Sequence, residues 1–214
     1  MLCFGIILLV LNTICQTQGQ YNDPHFMEGR SGIVHLFDWK FSTIAEECTD
    51  YLGPNKFGGV QTSPVQESVV TSKKAWYERY QPVSYKIVSR SGKEEDFQVM
   101  VKTCFDAGVR VYVDLVLNHM AQGDKEIVGD GGSTANPQDL DYPEIPYTSA
   151  EFNKLCDVRN NTDAFQVRNC RLLGLPDLNQ KNVKVQEAIV KFINRLIELG
   201  AAGFRIDSSK HSKI

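Results

Sequence analysis

Residues 94–117, EEDFQVMVKTCFDAGVRVYVDLVL, contain the pattern that decides the fold. Their first part repeats apolar side chains at helical spacing, which predicts an amphipathic helix over Glu94–Ala107 that Gly108 ends. The second part, Val109–Leu117, is almost continuously apolar up to Asp114, which predicts a strand buried on both faces. A helix that leads directly into such a strand is typical of a parallel sheet covered by helices.

The same alternation is found upstream of this stretch. The apolar run Gly32–Phe37 predicts a first strand, and Phe57–Pro64 predicts a second strand with its own stop signal. Between them, Thr43–Leu52 has the spacing of a helix. Ser42 or Thr43 can cap its beginning, and Gly53 with the following proline ends it.

Downstream, the chain returns to the same alternation after a long irregular region. Val183–Leu199 keeps apolar residues at i, i+3 and i+4, which predicts a third helix, and Ala202–Ile206 predicts a fourth strand. The intervening residues 118–182 are rich in Gly, Asn, Asp and Pro and show little periodicity. Because a simple loop is rarely that long, we expect a small subdomain inserted after the third strand.

Two architectures fit these repeats, a doubly wound sheet and a β/α barrel. No glycine-rich phosphate loop follows any predicted strand, which weakens the dinucleotide-binding version of the doubly wound sheet. Polar residues instead stand near the carboxyl ends of the strands, where barrel enzymes place their chemistry. They are Asp38, Gln61, Asp114, Asn118 and Asp207. We therefore predict an α/β fold that forms the first half of a TIM (β/α)8 barrel.

The composition is that of an ordinary soluble protein and excludes some partners. The 214 residues carry a net charge of -3 without a Lys/Arg cluster, so we expect neither nucleic acid nor a membrane surface as a partner. Met1–Leu11 is apolar but too short to span a bilayer, so residues 1–19 are interpreted as a secretory signal peptide rather than an apolar strand. This interpretation predicts a secreted, extracellular protein.

The cysteines and one sequon agree with secretion. Cys3 and Cys15 leave with the signal peptide, and four cysteines remain, which allow three pairings in an oxidising compartment. Asn160-Asn161-Thr162 is a glycosylation sequon, a motif that also occurs often by chance.

Three motifs resemble the α-amylase family of glycoside hydrolases. Residues 203–211, GFRIDSSKH, are similar to the family's nucleophile segment and depart from it only at Ser208, where alanine is usual. Residues 114–119, DLVLNH, match the family motif D-x-V-x-N-H. Residues 76–82, WYERYQP, resemble W-W-E-R-Y-Q-P, with Tyr77 in place of the second Trp. The resemblance extends over most of the chain from residue 20 to residue 211.

The resemblance implies hydrolysis of internal α-1,4-glucosidic bonds in starch, glycogen and maltooligosaccharides, with retention of anomeric configuration. Asp207 is then the nucleophile, and Arg205 is its electrostatic partner and a chloride ligand. With i, i+2 spacing on one strand, both side chains point to one face, where the guanidinium holds the carboxylate ionised. The alternative is a structural ion pair at a strand end. The implied substrate-binding residues are Tyr77, Tyr80, Gln81, Asp114, His119, Lys210 and His211.

The resemblance also implies a calcium site and two disulfides. The calcium ligands would be the side chains of Asn118 and Asp177 and the backbone carbonyls of Arg168 and His211, all oxygen donors of the kind that calcium prefers. As in animal amylases, Cys48 would pair with Cys104, and Cys156 with Cys170. The remaining chloride ligands of the family lie further along the sequence than residue 214, so chloride dependence is implied for a longer chain.

Retaining hydrolysis needs a second carboxyl group as acid and base, which the family places downstream of this strand together with a third acidic residue. We therefore expect a fragment of a longer, monomeric enzyme: residues 20–117 and 183–214 belong to the barrel, and residues 118–182 form the insert. We expect this length alone to be inactive. The alternatives are a truncated protein that binds sugar or calcium, and a non-catalytic relative such as a transporter-associated subunit.

Overall fold

The computed structural model describes residues 23–212, so the predicted signal peptide, residues 1–19, lies outside the described residues. The strands are β1 (Ser31–His35), β2 (Phe57–Gln61), β3 (Gln66–Ser68), β4 (Pro82–Ser89), β5 (Gly92–Lys93), β6 (Arg110–Leu115), β7 (Ile127–Val128), β8 (Thr134–Ala135) and β9 (Gly203–Ile206). The α-helices are α1 (Phe41–Glu47), α2 (Glu94–Asp106), α3 (Ala164–Asn169) and α4 (Val183–Glu198). A π-helical turn, Cys48–Leu52, extends α1, and short 3-10 helices cover Trp76–Tyr80, Ser149–Glu151, Leu172–Gly174 and Ser209–His211.

Four of these strands form the parallel sheet that the sequence predicts. Its order is β1-β2-β6-β9, and all three neighbouring pairs are parallel. Strand order thus follows chain order, so each new strand is added on the same side. A doubly wound sheet reverses this direction at a switch point, and this sheet does not. The arrangement is that of consecutive strands of a β/α barrel.

The helices cover one face of this sheet and form the main core. Phe97, Met100 and Cys104 of α2 are fully buried, as is Leu196 of α4. The disulfide between Cys48 and Cys104 joins the end of α1 to α2, which confirms the first predicted pairing. The outer strands, by contrast, expose apolar side chains such as Ile33 of β1 and Ile206 of β9.

The beginning of the first helix differs from the prediction. Helix α1 begins at Phe41, and no side chain caps it, so the predicted capping role of Ser42 or Thr43 is wrong. The physical reason is tertiary packing. The Phe41 ring is 1% exposed and lies 5.5 Å from that of Phe97, and its backbone N–H donates to the carbonyl of Ser91 at 2.9 Å. These contacts fix the start of the helix without a capping hydroxyl.

An antiparallel sheet, β3-β4-β5, was not predicted from the sequence. Its longest strand, β4, alternates the apolar residues Val83, Tyr85 and Ile87 with Ser84 and Lys86, a period-2 pattern that indicates a strand. The pattern falls between the second barrel strand and its helix, where a barrel repeat has no strand of its own.

Residues 118–182, which we call the insert, pack around a second core. This core contains Met120, Tyr142, Tyr147 and Phe152 of the insert together with Val83 of β4. The insert is therefore held against the antiparallel sheet. A second disulfide, Cys156–Cys170, closes a loop within the insert and confirms the other predicted pairing. No helix in the described part of the chain is long and apolar enough to cross a bilayer.

Candidate active site

One guanidinium joins two carboxylates at the carboxyl ends of β6 and β9. The two strands are neighbours, with Asp114 and Arg205 directly opposite each other in the register. Nη1 of Arg205 donates to Asp114 Oδ1 and Oδ2 at 2.8 and 3.0 Å, and to Asp207 Oδ1 at 2.8 Å. The predicted placement of Arg205 and Asp207 on one face of the strand is confirmed.

The two carboxylates differ in their exposure. The side chain of Asp114 is 1% exposed, whereas that of Asp207 is 15% exposed. Burial raises the pKa of Asp114, although hydrogen bonds from Arg205 and Tyr80 oppose this. Desolvation lowers the pKa of Arg205, but the hydrogen bonds and charges of the two carboxylates outweigh it, so the net shift is upward. Arg205 is therefore a permanent cation between the two acids.

Tyr80 completes the environment of Asp114. Its hydroxyl donates to Asp114 Oδ2 at 2.8 Å, and its ring centroid lies 5.9 Å from Cζ of Arg205. Burial raises the pKa of Tyr80 well above its usual range, with a further contribution from the charge of Asp114. Tyr80 consequently stays protonated and donates its hydrogen bond at neutral pH.

The 3-10 helix Trp76–Tyr80 is fixed by the buried side chain of Arg79. Its Nε donates to Asp38 at the end of the first strand, and its Nη1 donates to the Ser91 hydroxyl at 3.0 Å. Arg79 is 2% exposed, whereas its partner Asp38 is half-exposed. The aromatic residues of the turn are thereby held against the end of the sheet.

A cavity of about 450 Å³ opens beside Asp207. Its walls contain four of the predicted substrate-binding residues, Tyr77, Tyr80, Gln81 and His119. His119 Nε2 lies 2.9 Å from the carbonyl oxygen of Tyr80 and therefore donates to it. Desolvation lowers the pKa of His119, which favours the neutral imidazole.

The other predicted substrate-binding residues lie outside this wall. Asp114 stands behind Arg205. Lys210 is exposed and His211 is buried, and neither borders the cavity. His211 instead directs Nδ1 to the carbonyl oxygen of Val167 at 3.0 Å. Contact of Lys210 or His211 with a sugar stays a prediction.

Several cavity residues were not predicted from the sequence. The insert contributes Leu172, Leu173 and Leu175 to the cavity wall, and Leu173 is 83% exposed. These leucines lie in an irregular region without a periodic sequence pattern, so the sequence gives no signal that they border a cavity. Ser208, which the sequence marks only as a departure from a motif, also lines the cavity.

Comparison with known proteins agrees with this geometry. Residues 45–214 match the family model of the α-amylase catalytic domain. Over 207 residues, the chain is 48% identical to the α-amylase-related protein of Drosophila atripex. The aligned residues make up 96% of this chain and 42% of that protein. Wild-type α-amylase I from Eisenia fetida superposes with a TM-score of 0.84 at 41% identity, covering 88% of this chain and 39% of that one. A substituted form of the same enzyme, solved with maltohexaose, gives a TM-score of 0.85 at 40% identity, covering 88% and 40%. The chain belongs to the α-amylase family.

The region that matches the family model includes both strands that carry the candidate site. Asp114, Arg205 and Asp207 all fall within residues 45–214. The chain spans about two fifths of the length of the relatives it matches. The site therefore lies in the part of the catalytic domain that this chain shares with them.

Two of the predicted calcium ligands, Asn118 and Asp177, lie close together at the base of the insert. Asn118 and Asp177 are both buried, and the backbones of His119 and Asp177 form an antiparallel bridge. Asn118 Nδ2 lies 3.4 Å from Asp177 Oδ1, and the Ser212 hydroxyl donates to Asn118 Oδ1 at 3.2 Å.

Helix α3, which contains Arg168, is tied to this region by the bond from His211 to the Val167 carbonyl. Among residues 23–212, no three His, Cys, Asp or Glu side chains cluster as metal ligands. The predicted set has only one carboxylate, with an amide and two backbone carbonyls. Its all-oxygen chemistry fits calcium.

Proposed function

We propose that this chain contributes the nucleophile and the substrate-binding wall of a secreted α-amylase that hydrolyses α-1,4-glucosidic bonds in starch, glycogen and maltooligosaccharides. The observation that carries the proposal is the arrangement of the two acids around Arg205. Asp114 is buried, accepts hydrogen bonds from Arg205 and does not border the cavity. Asp207 also pairs with Arg205, but it borders the cavity, whose wall contains aromatic residues. Only one of the two carboxylates is thus placed to meet a ligand.

The chemistry follows from this placement. An oxygen of Asp207 attacks the anomeric carbon, forming a carbon–oxygen bond as the glycosidic bond breaks. The electron pair of the broken bond goes to the leaving oxygen, which takes a proton from a carboxylic acid about 5–5.5 Å from the nucleophile. Asp207 is the only acidic residue that lines this cavity among residues 23–212. We propose that the rest of the catalytic domain supplies the acid and a third carboxylate.

The remaining residues bind and orient the substrate. The face of Tyr77, which is 43% exposed, offers a platform for a sugar ring, and Gln81 offers an amide to its hydroxyl groups. The guanidinium of Arg205 pairs with the Asp207 carboxylate before the attack and again when the glycosyl group leaves. We also propose that Arg205 is a chloride ligand in the whole enzyme and that the enzyme acts as a monomer.

We propose that Asn118, Asp177 and the carbonyls of Arg168 and His211 hold calcium. The ion would link the insert to the end of β6 and the 209–211 turn, and so order one wall of the cavity. No chemical step passes through it.

The test is to express the complete reading frame that contains these 214 residues and to measure hydrolysis of amylose. We expect hydrolysis with an α-anomeric product, and at least about a 10³-fold loss in Asp207→Asn, because the attacking group is removed. Asp106→Asn, an exposed position at the end of α2, is the matched control and should keep full activity. Residues 20–214 alone should not hydrolyse amylose.

Equal activity of Asp207→Asn and the unsubstituted enzyme would overturn the assignment of the nucleophile. Secreted protein that binds maltohexaose without cleaving it would instead support the truncated binding protein and contradict a hydrolase.

A further inference from the structure

We propose that Ser208 is a positioning residue that fixes the carboxylate of Asp207 for attack, an inference that rests on the proposed function. The Ser208 hydroxyl lies 2.8 Å from Asp207 Oδ2. An ionised carboxylate only accepts hydrogen bonds, so the hydroxyl is the donor. On the other oxygen, Arg205 Nη1 donates to Oδ1 at 2.8 Å.

These two donors together define the orientation of the carboxylate plane. With Arg205 alone, the carboxylate could turn about its last side-chain bond and keep one hydrogen bond, because either oxygen can accept it. With one donor on each oxygen, any turn short of the half-turn that exchanges the two equivalent oxygens weakens both bonds. Catalytic groups gain much of their effect from being held in the attack geometry, and small misplacements are costly.

The backbone around Ser208 is fixed independently of its hydroxyl. The Asp207 N–H donates to the Leu115 carbonyl at 2.8 Å, and the Ser208 carbonyl accepts from the His211 N–H at 2.8 Å. Ser208 itself has a φ of 50°, in the left-handed region. Alanine leaves both backbone bonds in place and removes only the hydroxyl, while glycine also relieves the cost of that φ.

Comparing the alanine and glycine substitutions at Ser208 shows whether a change in activity comes from loss of the hydroxyl or from the strained backbone. If the hydroxyl matters, Ser208→Ala and Ser208→Gly lose the same amount of activity. If the strained backbone matters, they differ. Ser209 is the matched control, since it lies in the same turn, is exposed and does not border the cavity.

The experiment measures kcat and KM on maltopentaose for the complete reading frame and for Ser208→Ala, Ser208→Gly and Ser209→Ala. We expect kcat to fall about tenfold in both Ser208 variants, with KM changed less than about twofold, because a bond to a charged group is lost at the reacting carboxylate. Ser209→Ala should equal the unsubstituted enzyme. An unchanged kcat, or a raised KM alone, would overturn the proposal, the latter by showing that the hydroxyl binds sugar.

A second measurement does not require activity. In crystal structures of the complete reading frame, the Asp207 carboxylate should have one orientation in the unsubstituted protein and in Ser209→Ala, and more than one in Ser208→Ala. A single orientation in all three would overturn the positioning role. An inactive but rigid unsubstituted protein would contradict the proposed function and leave the role of Ser208 supported.

Discussion

The parallel sheet and the insert differ in the contacts that hold them in place. Around the sheet, apolar side chains such as Val60 and Val113 of the strands and Leu196 of α4 are fully buried between strands and helices. The insert also has an apolar core, but its position depends on polar contacts to distant parts of the chain. Burial of apolar area is non-directional, whereas hydrogen bonds fix orientation. The cavity beside Asp207 lies where the two regions meet.

Glu67 of β3 shows how the insert is held. It is fully buried, and its carboxylate accepts hydrogen bonds from the backbone N–H groups of Gly131 and Ser133 at 2.8 and 2.9 Å and from the Ser84 hydroxyl. One carboxylate thus accepts hydrogen bonds both from β4 and from the insert. The comparison predicts that the two regions respond to different perturbations.

The largest effect is expected from the disulfides. Replacing both Cys48 and Cys104 by serine should lower the free energy of unfolding by about 4 kcal/mol, because this bond closes a longer loop than Cys156–Cys170, whose loss should cost about 3 kcal/mol. The sequence separations are 56 and 14 residues. Urea unfolding of both double variants measures the difference. A larger cost for the insert disulfide would contradict the loop-length explanation.

The second largest effect is expected from the removal of calcium, and we expect it in the insert first. At a hundredfold excess over its dissociation constant, a ligand of the folded state stabilises by about 2.7 kcal/mol. We expect chelation to increase hydrogen exchange in α3 and around Asp177 before it affects α2. Asp177→Asn should abolish the response, while Asp124→Asn, an exposed position in the insert, should keep it. Equal loosening of α2 and α3 would contradict a site at the insert.

The smallest effect is expected at Glu67. Burial alone would raise its pKa, but the hydrogen bonds from Ser133, Ser84 and Gly131 outweigh this, and the net shift is downward. Its contribution to stability is therefore present above the ordinary glutamate pKa of about 4.3 and is lost as the pH falls through the lowered value. Glu67→Gln should destabilise by about 2 kcal/mol at pH 7.

The matched control for this prediction is Glu144→Gln, since Glu144 forms a half-exposed ion pair with Lys86 at 3.0 Å. It should change stability by less than about 1 kcal/mol. The cost of Glu67→Gln should shrink in unfolding measurements at pH 3. A cost that is the same at both pH values would show that shape rather than charge matters at this position.

The difference between the apolar contacts of the sheet and the polar contacts of the insert also explains which features could be predicted from the sequence. The strands and helices of the sheet follow from periodicity. Gly108, with a φ of 82°, ends α2 as expected, and Gly200, with a φ of 98°, follows the end of α4 in the same way. The alternation of strands and helices made the strand order predictable. This order places Asp114 beside Arg205, a pairing that was not itself predicted from the sequence. The contribution of Leu173 and Glu67 depends on how an irregular segment folds back on a hairpin, and no local pattern encodes that.

Trapping a covalent intermediate would show directly whether Asp207 is the attacking group. The complete reading frame would be incubated with a fluorinated maltosyl fluoride, which slows breakdown of a glycosyl-enzyme, and digested for mass spectrometry. We expect one maltosyl adduct, on the peptide that contains Asp207. An adduct on another acidic residue, or hydrolysis of amylose without any adduct at Asp207, would contradict it.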